Sequence, residues 1–475
     1  MFRAEGSHAD GGFARLAAFN CQGDARVRSA AWLVLLGVLG TGCGGPIPEA
    51  HRSVCVSPFV GRVATVKRLP PKHLPPHPLL SAVSSIHSDP YNSDVDDFPG
   101  PLGINPVVRS AFIGMSPIVM FGPDGTLMAV TFDLGTLGMG ITAIDPESLA
   151  VIDRYAVPID FGTVFSGGFG AQGVSVNGGY YHIDASGRAV VGTQDNKLLE
   201  LELQRSRDGR RRWRRRRQLD LGPWLPAGQF LIDTQYDWAG NMWFVSSEGV
   251  VGYVDRRDYG VRTMRLGGEL IENGLAVAPD GVYVLTSEAA YRFEPDETSG
   301  DPVYTWRIPY DRGTVPKPGT FALGSGATPT LLGDDLITFT DNADDRVNLL
   351  VYRRRKEVEG DRRVGSVPLF KSGASAVDVS MIGYSNSIVV ANIFNAGGFG
   401  DDYRQLAPGF TRVDVREDRS GLDVVWENRE RSTTVSKLST ATGLIYTYTQ
   451  QLEVADPVDV PLPLQVRFRG CQRNA

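Results

Sequence analysis

Carboxylate and amide side chains recur at one position of a repeated pattern in this 475-residue chain, namely the end of an apolar run that follows a turn. In the four clearest cases the acid lies seven or eight residues after the glycine of the turn. The residues at these positions are Asp133, Asp195, Glu248, Glu288, the pair Asp341-Asn342 and Asn392, and Asn196 adjoins Asp195. If the fold gathers them, these side chains form a ring of oxygen donors.

Such a ring is suited to a hard divalent cation, because Ca²⁺ takes six to eight oxygen ligands and Mg²⁺ takes fewer together with water. Crowded carboxylates also raise one another's pKa, which makes a general base available. We assign Glu288 and Asp341 to the cation, and Asp195 or Glu248 to the activation of water. Contacts with a ligand are assigned to Asp133, Asn196, Asn342 and Asn392. Alternatively, each residue only hydrogen-bonds the turn that follows its strand, as Asp and Asn commonly do.

Histidine has little part in this chemistry. Of the six histidines, only His182 lies within the repeated region. A His-dependent triad or a multi-His metal site built across the repeats is therefore not expected. His182 itself is more typical of a buried or strand-paired residue than of a base.

The elements that must position the acids are short strands in a long repeat. Tight turns occur at residues 123–125, 185–187, 238–240, 279–281, 333–335, 384–386 and 441–443, spaced 41 to 62 residues apart when counted from 124, 186, 239, 280, 334, 385 and 442. Each turn joins two apolar strands, and two more polar strands follow. With 55 Gly and 30 Pro, the composition disfavours long helices. The pattern predicts an all-β fold, a β-propeller of about seven four-stranded blades (six to eight possible), over residues 106–475. A pair of β-sandwiches or a β-helix is the alternative.

A propeller would gather the acids, because the starts of its first strands and the ends of its second strands lie on the same face, around the central channel. Closure of the ring removes the exposed edge of the first blade. Residues 462–471, at the end of the chain, are predicted to supply the closing strand.

Residues 273–295, NGLAVAPDGVYVLTSEAAYRFEP, resemble a segment of the SMP-30/gluconolactonase and strictosidine-synthase-like propellers. In the first of these branches the Asn of this segment binds a divalent metal in the central channel. The resemblance therefore implies that Asn273 is a metal ligand and that the activity is that of a metal-dependent lactonase. The chain differs from the family in having about seven units rather than six.

Residues 1–42 are predicted to be an export leader. The thirteen residues of Ala30–Gly42 are all apolar or small and follow Arg26 and Arg28. This run is too short to span a bilayer but is typical of the apolar part of a signal peptide. The sequence Gly40-Thr41-Gly42-Cys43 resembles the lipobox of bacterial lipoproteins, which implies that Cys43 carries a lipid at the cell envelope. The alternative is an ordinary cleaved signal with Cys43 unmodified.

Residues 43–105 are predicted to form a Pro-rich tether and an acidic loop. Eight prolines fall between residues 46 and 80, which favours extended chain. The segment 87–103 holds four aspartates and one histidine, and we expect it on the surface or, alternatively, over the channel mouth. After removal of the leader and lipidation, Cys55 and Cys471 remain, and export favours a disulfide between them; two free thiols are the alternative.

Residues 205–217 contain nine Arg and one Asp, a local charge of +8. We refer to this segment as the Arg-rich hairpin. An outer-blade hairpin is the simplest interpretation, since Asp208-Gly209 is a hairpin signal and an Arg-coated edge resists strand pairing. Alternatively, the segment contacts anionic lipid or another polyanion, with Trp213 inserted at the interface. The net charge of −6 and the proposed export argue against nucleic acid as the partner.

Two functions are consistent with these patterns. The first is an envelope module that binds a protein, a glycan or a small molecule at the channel mouth. The alternative is a metal-dependent hydrolase of the lactonase or esterase type, in which a bound Ca²⁺ or Mg²⁺ polarises a carbonyl.

Overall fold

The computed structural model describes residues 66–102, 111, 113, 115–133, 138–157, 180–320, 323–396, 405–432 and 434–447. The leader, Cys43, Cys55, Cys471 and the closing strand predicted at 462–471 lie outside these residues. The predictions made for them are therefore not addressed by the structure.

The described residues form seven sheets, which confirms the predicted all-β propeller of about seven blades. A short strand, β1 (Val95–Asp96), precedes the repeats. Blade 1 contains β2 (Met115–Phe121), β3 (Leu127–Asp133), β4 (Gly138–Ile144) and β5 (Val151–Val157). Blade 2 contains β6 (Tyr181–Ile183), β7 (Ala189–Gly192), β8 (Lys197–Arg205) and β9 (Arg211–Asp220). Blade 3 contains β10 (Leu231–Tyr236), β11 (Met242–Ser246), β12 (Val250–Val254) and β13 (Val261–Arg265).

The later blades follow the same plan. Blade 4 contains β14 (Ala276–Ala278), β15 (Gly281–Leu285), β16 (Ala289–Pro295) and β17 (Pro302–Pro309). Blade 5 contains β18 (Thr330–Leu332), β19 (Leu336–Thr340), β20 (Asn348–Arg353) and β21 (Arg363–Pro368). Blade 6 contains β22 (Ile382–Tyr384), β23 (Ser387–Ala391), β24 (Phe410–Val415) and β25 (Leu422–Asn428). Blade 7 contains β26 (Lys437–Ser439) and β27 (Leu444–Tyr446), with β1 parallel to β26 in the order β1-β26-β27.

The turns predicted from the sequence join the first and second strands of all seven blades. In blade 2, Asp184 accepts hydrogen bonds from the N–H groups of Ser186 (2.8 Å) and Arg188 (2.9 Å). Gly187 has a φ of 78°, a left-handed conformation that disfavours a side chain. The short polar residue followed by glycine is therefore required by the turn geometry.

Five apolar clusters join consecutive blades from the first to the seventh. They lie between blades 1 and 2, 2 and 3, 3 and 4, then across 4, 5 and 6, and between 6 and 7. Tyr283, Phe339 and Val390 of the largest cluster are all fully buried. Within the described residues, no helix is both long enough and apolar enough to cross a bilayer.

The chain before the first blade crosses one face of the propeller. Lys67 and Leu69 donate from their backbone N–H groups to the turn of blade 7, and Tyr384 of blade 6 donates to Pro70 O at 2.8 Å. Further along, Trp238 of blade 3 donates to Pro76 O at 3.2 Å, and His77 Nε2 donates to the carbonyl of Tyr236 at 3.0 Å. Residues 67–78 are thus extended, as the prolines predict, but they lie on the propeller.

Residues 79–96, which we call the channel segment, then run along the innermost strands of the blades. The first strand of each blade has one edge without a strand partner within its own blade, and the carbonyls of the channel segment accept hydrogen bonds from five of these edges. The donor and acceptor pairs are Ile183 with Ser84, Val277 with Pro90, Leu331 with Tyr91, Gly383 with Ser93 and Leu438 with Asp94, at 2.7 to 3.0 Å. The central channel is therefore filled by the protein's own chain.

This arrangement corrects two predictions. The acidic segment is not a surface loop in its first half, because His87, Asp89 and Asp94 are at most 4% exposed. It also does not lie outside the propeller, since β1 is a strand of blade 7. The physical reason is that the open inner edges need hydrogen-bond partners, and an extended polar chain supplies them.

Candidate functional site at the mouth of the channel

The propeller has two faces with different connections. On the first face, which we call the loop face, the chain passes from one blade to the next, and the second strands end there. Residues 272–275 and 325–329 lie on this face. On the other, the turn face, the first and second strands are joined, as at residues 237–240. The channel segment reaches the loop face at His87. The centroid of the His87 ring lies 6.1 Å from that of the Tyr180 ring.

Polar residues that lie before or within the innermost strands interact with Tyr180, the neighbour of His87. We call the following set the mouth cluster: Tyr180, Asp233, Asn273, Thr328 and Asp378. Thr328 Oγ1 is 3.3 Å from His87 Nε2, and the hydroxyl of Tyr180 donates to Asn273 Oδ1 at 3.5 Å. Asn273 Nδ2 in turn donates to the carbonyl of Ser325 at 3.1 Å, which links blade 4 to the loop before blade 5. Five loops or strands thus contribute to one polar surface.

Asp233 has the most unusual electrostatics in the cluster. It follows an irregularity in the register of β10, and its carboxylate accepts hydrogen bonds from Thr234 N (2.7 Å) and Leu275 N (3.0 Å). Burial outweighs these bonds and raises the pKa of Asp233 to about 7. A Cβ on Gly274 would lie 2.8 Å from Asp233 Oδ2, so this glycine allows the close approach. Near neutral pH the Asp233 carboxyl can therefore either donate or accept a hydrogen bond.

Tyr180 remains protonated beside these carboxyls. Burial raises its pKa to about 12, and the charges of Asp233 and Asp378 act in the same direction. The cluster therefore presents a phenol, an amide and two carboxyl groups, a set that can hydrogen-bond a polar ligand.

The floor of the mouth is a buried ion-pair network. Asp94, which is fully buried, accepts from Ser380 Oγ and from Lys437 Nζ (2.6 Å), and it lies 3.4 Å from His87 Nδ1. Although burial acts to raise the pKa of Asp94, Lys437 and His87 hold it below its usual value. Asp94 therefore stays ionised, which fixes the channel segment to blades 6 and 7.

The acids predicted to be catalytic lie one strand further from the axis. Asp195 pairs with Lys197 and accepts from Thr193 Oγ1, while Glu248 accepts from Gln229 Nε2 at 3.3 Å. Asn196, predicted to bind ligand, donates to the carbonyl of Gln229 at 2.8 Å. These contacts lie in and beside the turns between second and third strands. They agree with the alternative interpretation, in which each residue only hydrogen-bonds the turn that follows its strand.

The predicted metal ligands also have separate partners. Glu288 pairs with Arg312, and Asp341 accepts from the N–H (2.6 Å) and the side-chain amide (2.7 Å) of Asn348. Burial raises the pKa of Asp341. In the part of the chain that the structure describes, no group of three or more His, Cys, Asp or Glu side chains could hold a metal ion.

The other predicted ligand contacts are likewise engaged. Asn342 Nδ2 donates to the carbonyl of Arg312 at 3.2 Å, and Asn392 donates to Ala374 O (2.9 Å) and Pro408 O (3.3 Å). Asp133 ends β3, and its side chain lies outside the described structure. Of the predicted site residues with described side chains, Asn273 alone belongs to the mouth cluster. The predicted acids lie at the ends of second strands, whereas the residues of the mouth cluster lie shortly before the first strands or, in the case of Asp233, within one.

The Arg-rich hairpin comprises the last residue of β8, the turn that follows and most of β9, at the outer edge of blade 2, as predicted. Several of its arginines have acidic partners: Arg211 pairs with Asp124, and Arg216 with Glu202. Trp213 was proposed, as an alternative, to insert at an interface with anionic lipid or another polyanion. That prediction is wrong, because Trp213 is 5% exposed and packs in the cluster between blades 1 and 2.

His182 is buried in β6, where its Nδ1 donates to the carbonyl of Thr234 at 2.8 Å. Burial lowers its pKa to about 4. A neutral ring held in this way supports the structural interpretation of His182 over that of a base.

No protein-family model and no curated protein matches the sequence. Solved propeller structures are similar in fold at low identity. The WD40 domain of Toxoplasma gondii coronin is 10% identical, with a TM-score of 0.43 over 68% of this chain and 76% of that one. BamB from Moraxella catarrhalis is 11% identical (TM-score 0.35; 71% and 91% covered). A 6-phosphogluconolactonase, described as putative, from Bacteroides uniformis is 13% identical (TM-score 0.37; 66% and 84% covered).

Proposed function

We propose that the protein is an exported, lipid-anchored binding module of the cell envelope, which presents the mouth cluster to a protein, glycan or small-molecule ligand. The observation that carries this proposal is the filled channel. Because residues 79–96 occupy the centre, the mouth is a polar surface with a fixed floor and does not lead into a passage. A preorganised surface of this kind favours recognition, since its groups need not be reordered on binding.

The chemistry of the mouth cluster favours a ligand rich in hydroxyl or amide groups. The Tyr180 hydroxyl, which donates to Asn273, can still accept a hydrogen bond, Asp378 carries carboxylate oxygens, and the Asp233 carboxyl can donate or accept near neutral pH. Ligands of this type bind through several convergent polar groups placed on a rigid scaffold.

The length of chain between the proposed anchor and the described residues is limited. The 22 residues between Cys43 and the first described residue, Val66, can extend at most about 80 Å. The described chain begins on the turn face, where Lys67 N bonds to Thr442 O at 3.0 Å. The first described residues therefore lie on the face opposite to the mouth cluster.

The proposed membrane location is tested by replacing the residue to which the lipid is proposed to attach. We expect Cys43→Ala to abolish incorporation of an alkyne-labelled fatty acid and to move the protein from the membrane fraction to the soluble fraction. Cys21→Ala is the matched control and should leave labelling intact. Labelling that persists in Cys43→Ala, or membrane association independent of it, refutes the anchor.

The binding face is tested by photo-crosslinking in intact cells. A photoreactive residue at Val379, beside Asp378, should give a discrete adduct, and the same residue at Glu297, exposed on the turn face, should not. Asp378→Asn should reduce the adduct at Val379. Equal adducts at both positions, or an adduct indifferent to Asp378→Asn, refute binding at the mouth.

A further inference from the structure

A cavity opens on the turn face, between blades 2 and 3. It has a volume of about 270 Å³ and extends from Leu79, at the start of the channel segment, outwards to Arg217 and Tyr259. Its apolar walls are Leu79, Leu198, Leu219, Met242 and Val254. Since water occupies about 30 Å³ in the liquid, the volume corresponds to about nine waters. The cavity is thus slightly smaller than a pocket for a drug-sized ligand, which has about 300 Å³ or more.

A buried acid in this cavity has unused hydrogen-bonding capacity. Glu200 is 6% exposed, and the nearest cations are Arg217 Nη1 at 3.5 Å and Arg188 Nη1 at 4.0 Å. Within the described residues, neither contact is a well-formed hydrogen bond, and no other group donates to the Glu200 carboxylate. Buried carboxylates are normally fully bonded, so this one is suited to a donor supplied by a ligand.

Basic groups of the same cavity are under-bonded too. Arg188 Nε is buried without a hydrogen-bond partner in the described structure. Arg256 lines the cavity, is exposed, and has no ion pair with any described residue. Arg217 lies over the ring of Tyr259 at 4.4 Å, which holds its guanidinium at the outer end.

We propose that this cavity binds an α-amino acid zwitterion with an aliphatic side chain. The ammonium group donates to the Glu200 carboxylate, the ligand's carboxylate accepts from the arginines, and the side chain lies against the five apolar walls. The other two acids of the lining, Asp184 and Asp255, already accept hydrogen bonds from the backbone N–H groups of Ser186, Arg188 and Arg257. The proposal follows from the under-bonded Glu200, the basic groups and the apolar lining in one small space, because no singly charged ligand satisfies both sets of polar groups. The site lies on the turn face and is independent of the mouth cluster.

Titration of the purified protein with L-leucine, followed by calorimetry, tests the site. We expect saturable binding, at least tenfold weaker binding of N-acetyl-L-leucine, which lacks the ammonium, and similar weakening for L-leucinamide, which lacks the carboxylate. L-leucyl-L-leucine distinguishes the source: binding equal to that of leucine indicates a peptide terminus, and loss of binding indicates the free amino acid.

Variants assign the contacts. Glu200→Gln should weaken leucine binding at least tenfold, and Arg256→Gln, which is exposed and should fold normally, about threefold or more. Glu427→Gln, on the exposed outer strand of blade 6, is the matched control and should have no effect. Absence of leucine binding by the wild type, or equal affinities of wild type, Glu200→Gln and Arg256→Gln, overturns the proposal.

Discussion

The ion pair between the channel segment and blade 7 provides the sharpest test of the filled channel. Lys437 Nζ lies 2.6 Å from Asp94 Oδ1 and also donates to Ser88 Oγ at 3.0 Å. The Asp94 side chain is fully buried, whereas that of Lys437 is 28% exposed. Lys437→Met removes the cation and its hydrogen bonds, including the one to the Ile86 carbonyl, but keeps a long apolar stem, so the packing of the stem is retained.

The expected cost is large for a single substitution. Removing one partner of a buried ion pair costs about 3–5 kcal/mol, because the other charge is left uncompensated. Since Lys437 is partly exposed and Ser380 still donates to Asp94, we expect about 3 kcal/mol for Lys437→Met. Asp94→Asn should cost about 2 kcal/mol, because it keeps the shape but loses charge-assisted bonds. The double variant should recover at least about 1.5 kcal/mol relative to the sum of the two.

Equilibrium urea unfolding, followed by tryptophan fluorescence, measures these differences. Limited proteolysis adds a local readout, since a loosened channel segment should be cleaved between residues 79 and 96 before the blades are. Lys371→Met, at an exposed position of blade 5's final loop, is the control and should change stability by less than about 0.5 kcal/mol. A Lys437→Met variant as stable as this control, or strict additivity in the double variant, contradicts a buried coupling between the channel segment and blade 7.

Three further predictions follow from other parts of the fold. Arg354 is 1% exposed, and its guanidinium lies 5.4 Å from the centroid of the Tyr91 ring in the channel segment. Arg354→Met should therefore lower the free energy of unfolding, measured in urea, by about 2–4 kcal/mol. The control Arg355→Met, at the exposed neighbouring position, should lower it little. The raised pKa of Asp233, about 7, means that the folded carboxyl binds its proton more tightly than the unfolded one. The stability of the wild type relative to Asp233→Asn should therefore fall, by at most about 4 kcal/mol, as the pH rises from about 4 to about 7, and a difference constant with pH would contradict the assigned burial. EDTA should leave the Tm unchanged, because Glu288 is already neutralised by an arginine; a lower Tm that Ca²⁺ restores would support the metal assignment instead.

The blade architecture could be predicted because its signals are local. A turn such as Pro279-Asp280-Gly281 needs a short polar residue and a glycine, and those requirements recur wherever a first strand meets a second. Seven such turns were sufficient to locate the blades, and the alternation of apolar strands between them indicated which residues are buried. The position of the acids along each strand was also correct, since each lies at or just beyond the end of a second strand.

Their distance from the axis could not be read from the same pattern. Asp195 and Glu288 lie on the loop face as expected, but a second strand is one strand removed from the centre, and each acid finds a partner within its own neighbourhood. The rim is formed by residues before the innermost strands, such as Asn273 and Asp378. Polar residues shortly before each predicted first strand are the sequence signal for this rim.

The channel segment was missed because its partners are distant in sequence. Asp94 and Lys437 are separated by 343 residues, and nothing in the local composition of 87–96 distinguishes a buried acidic segment from a surface loop. A general argument could have indicated it. Each innermost strand leaves one edge of N–H and C=O groups unpaired within its blade, and a buried group left unpaired costs about 1–3 kcal/mol. A chain that runs along several blades and offers a carbonyl to each is one solution to that requirement.

The same geometry ties blade 7 to a segment that precedes the first blade. Within the described residues, blade 7 has two strands from the end of the repeats, β26 and β27, and β1, from before the first blade, pairs with the inner edge of β26. The channel segment also bonds to blade 2 through Ser84 and to blade 4 through Pro90, so one continuous stretch of chain contacts early, middle and late blades. β26 therefore gains its inner partner only when the first part of the chain lies along the axis, and the same part of the chain forms the floor of the mouth cluster. Loss of the Asp94 contacts should consequently weaken binding at the mouth as well as stability.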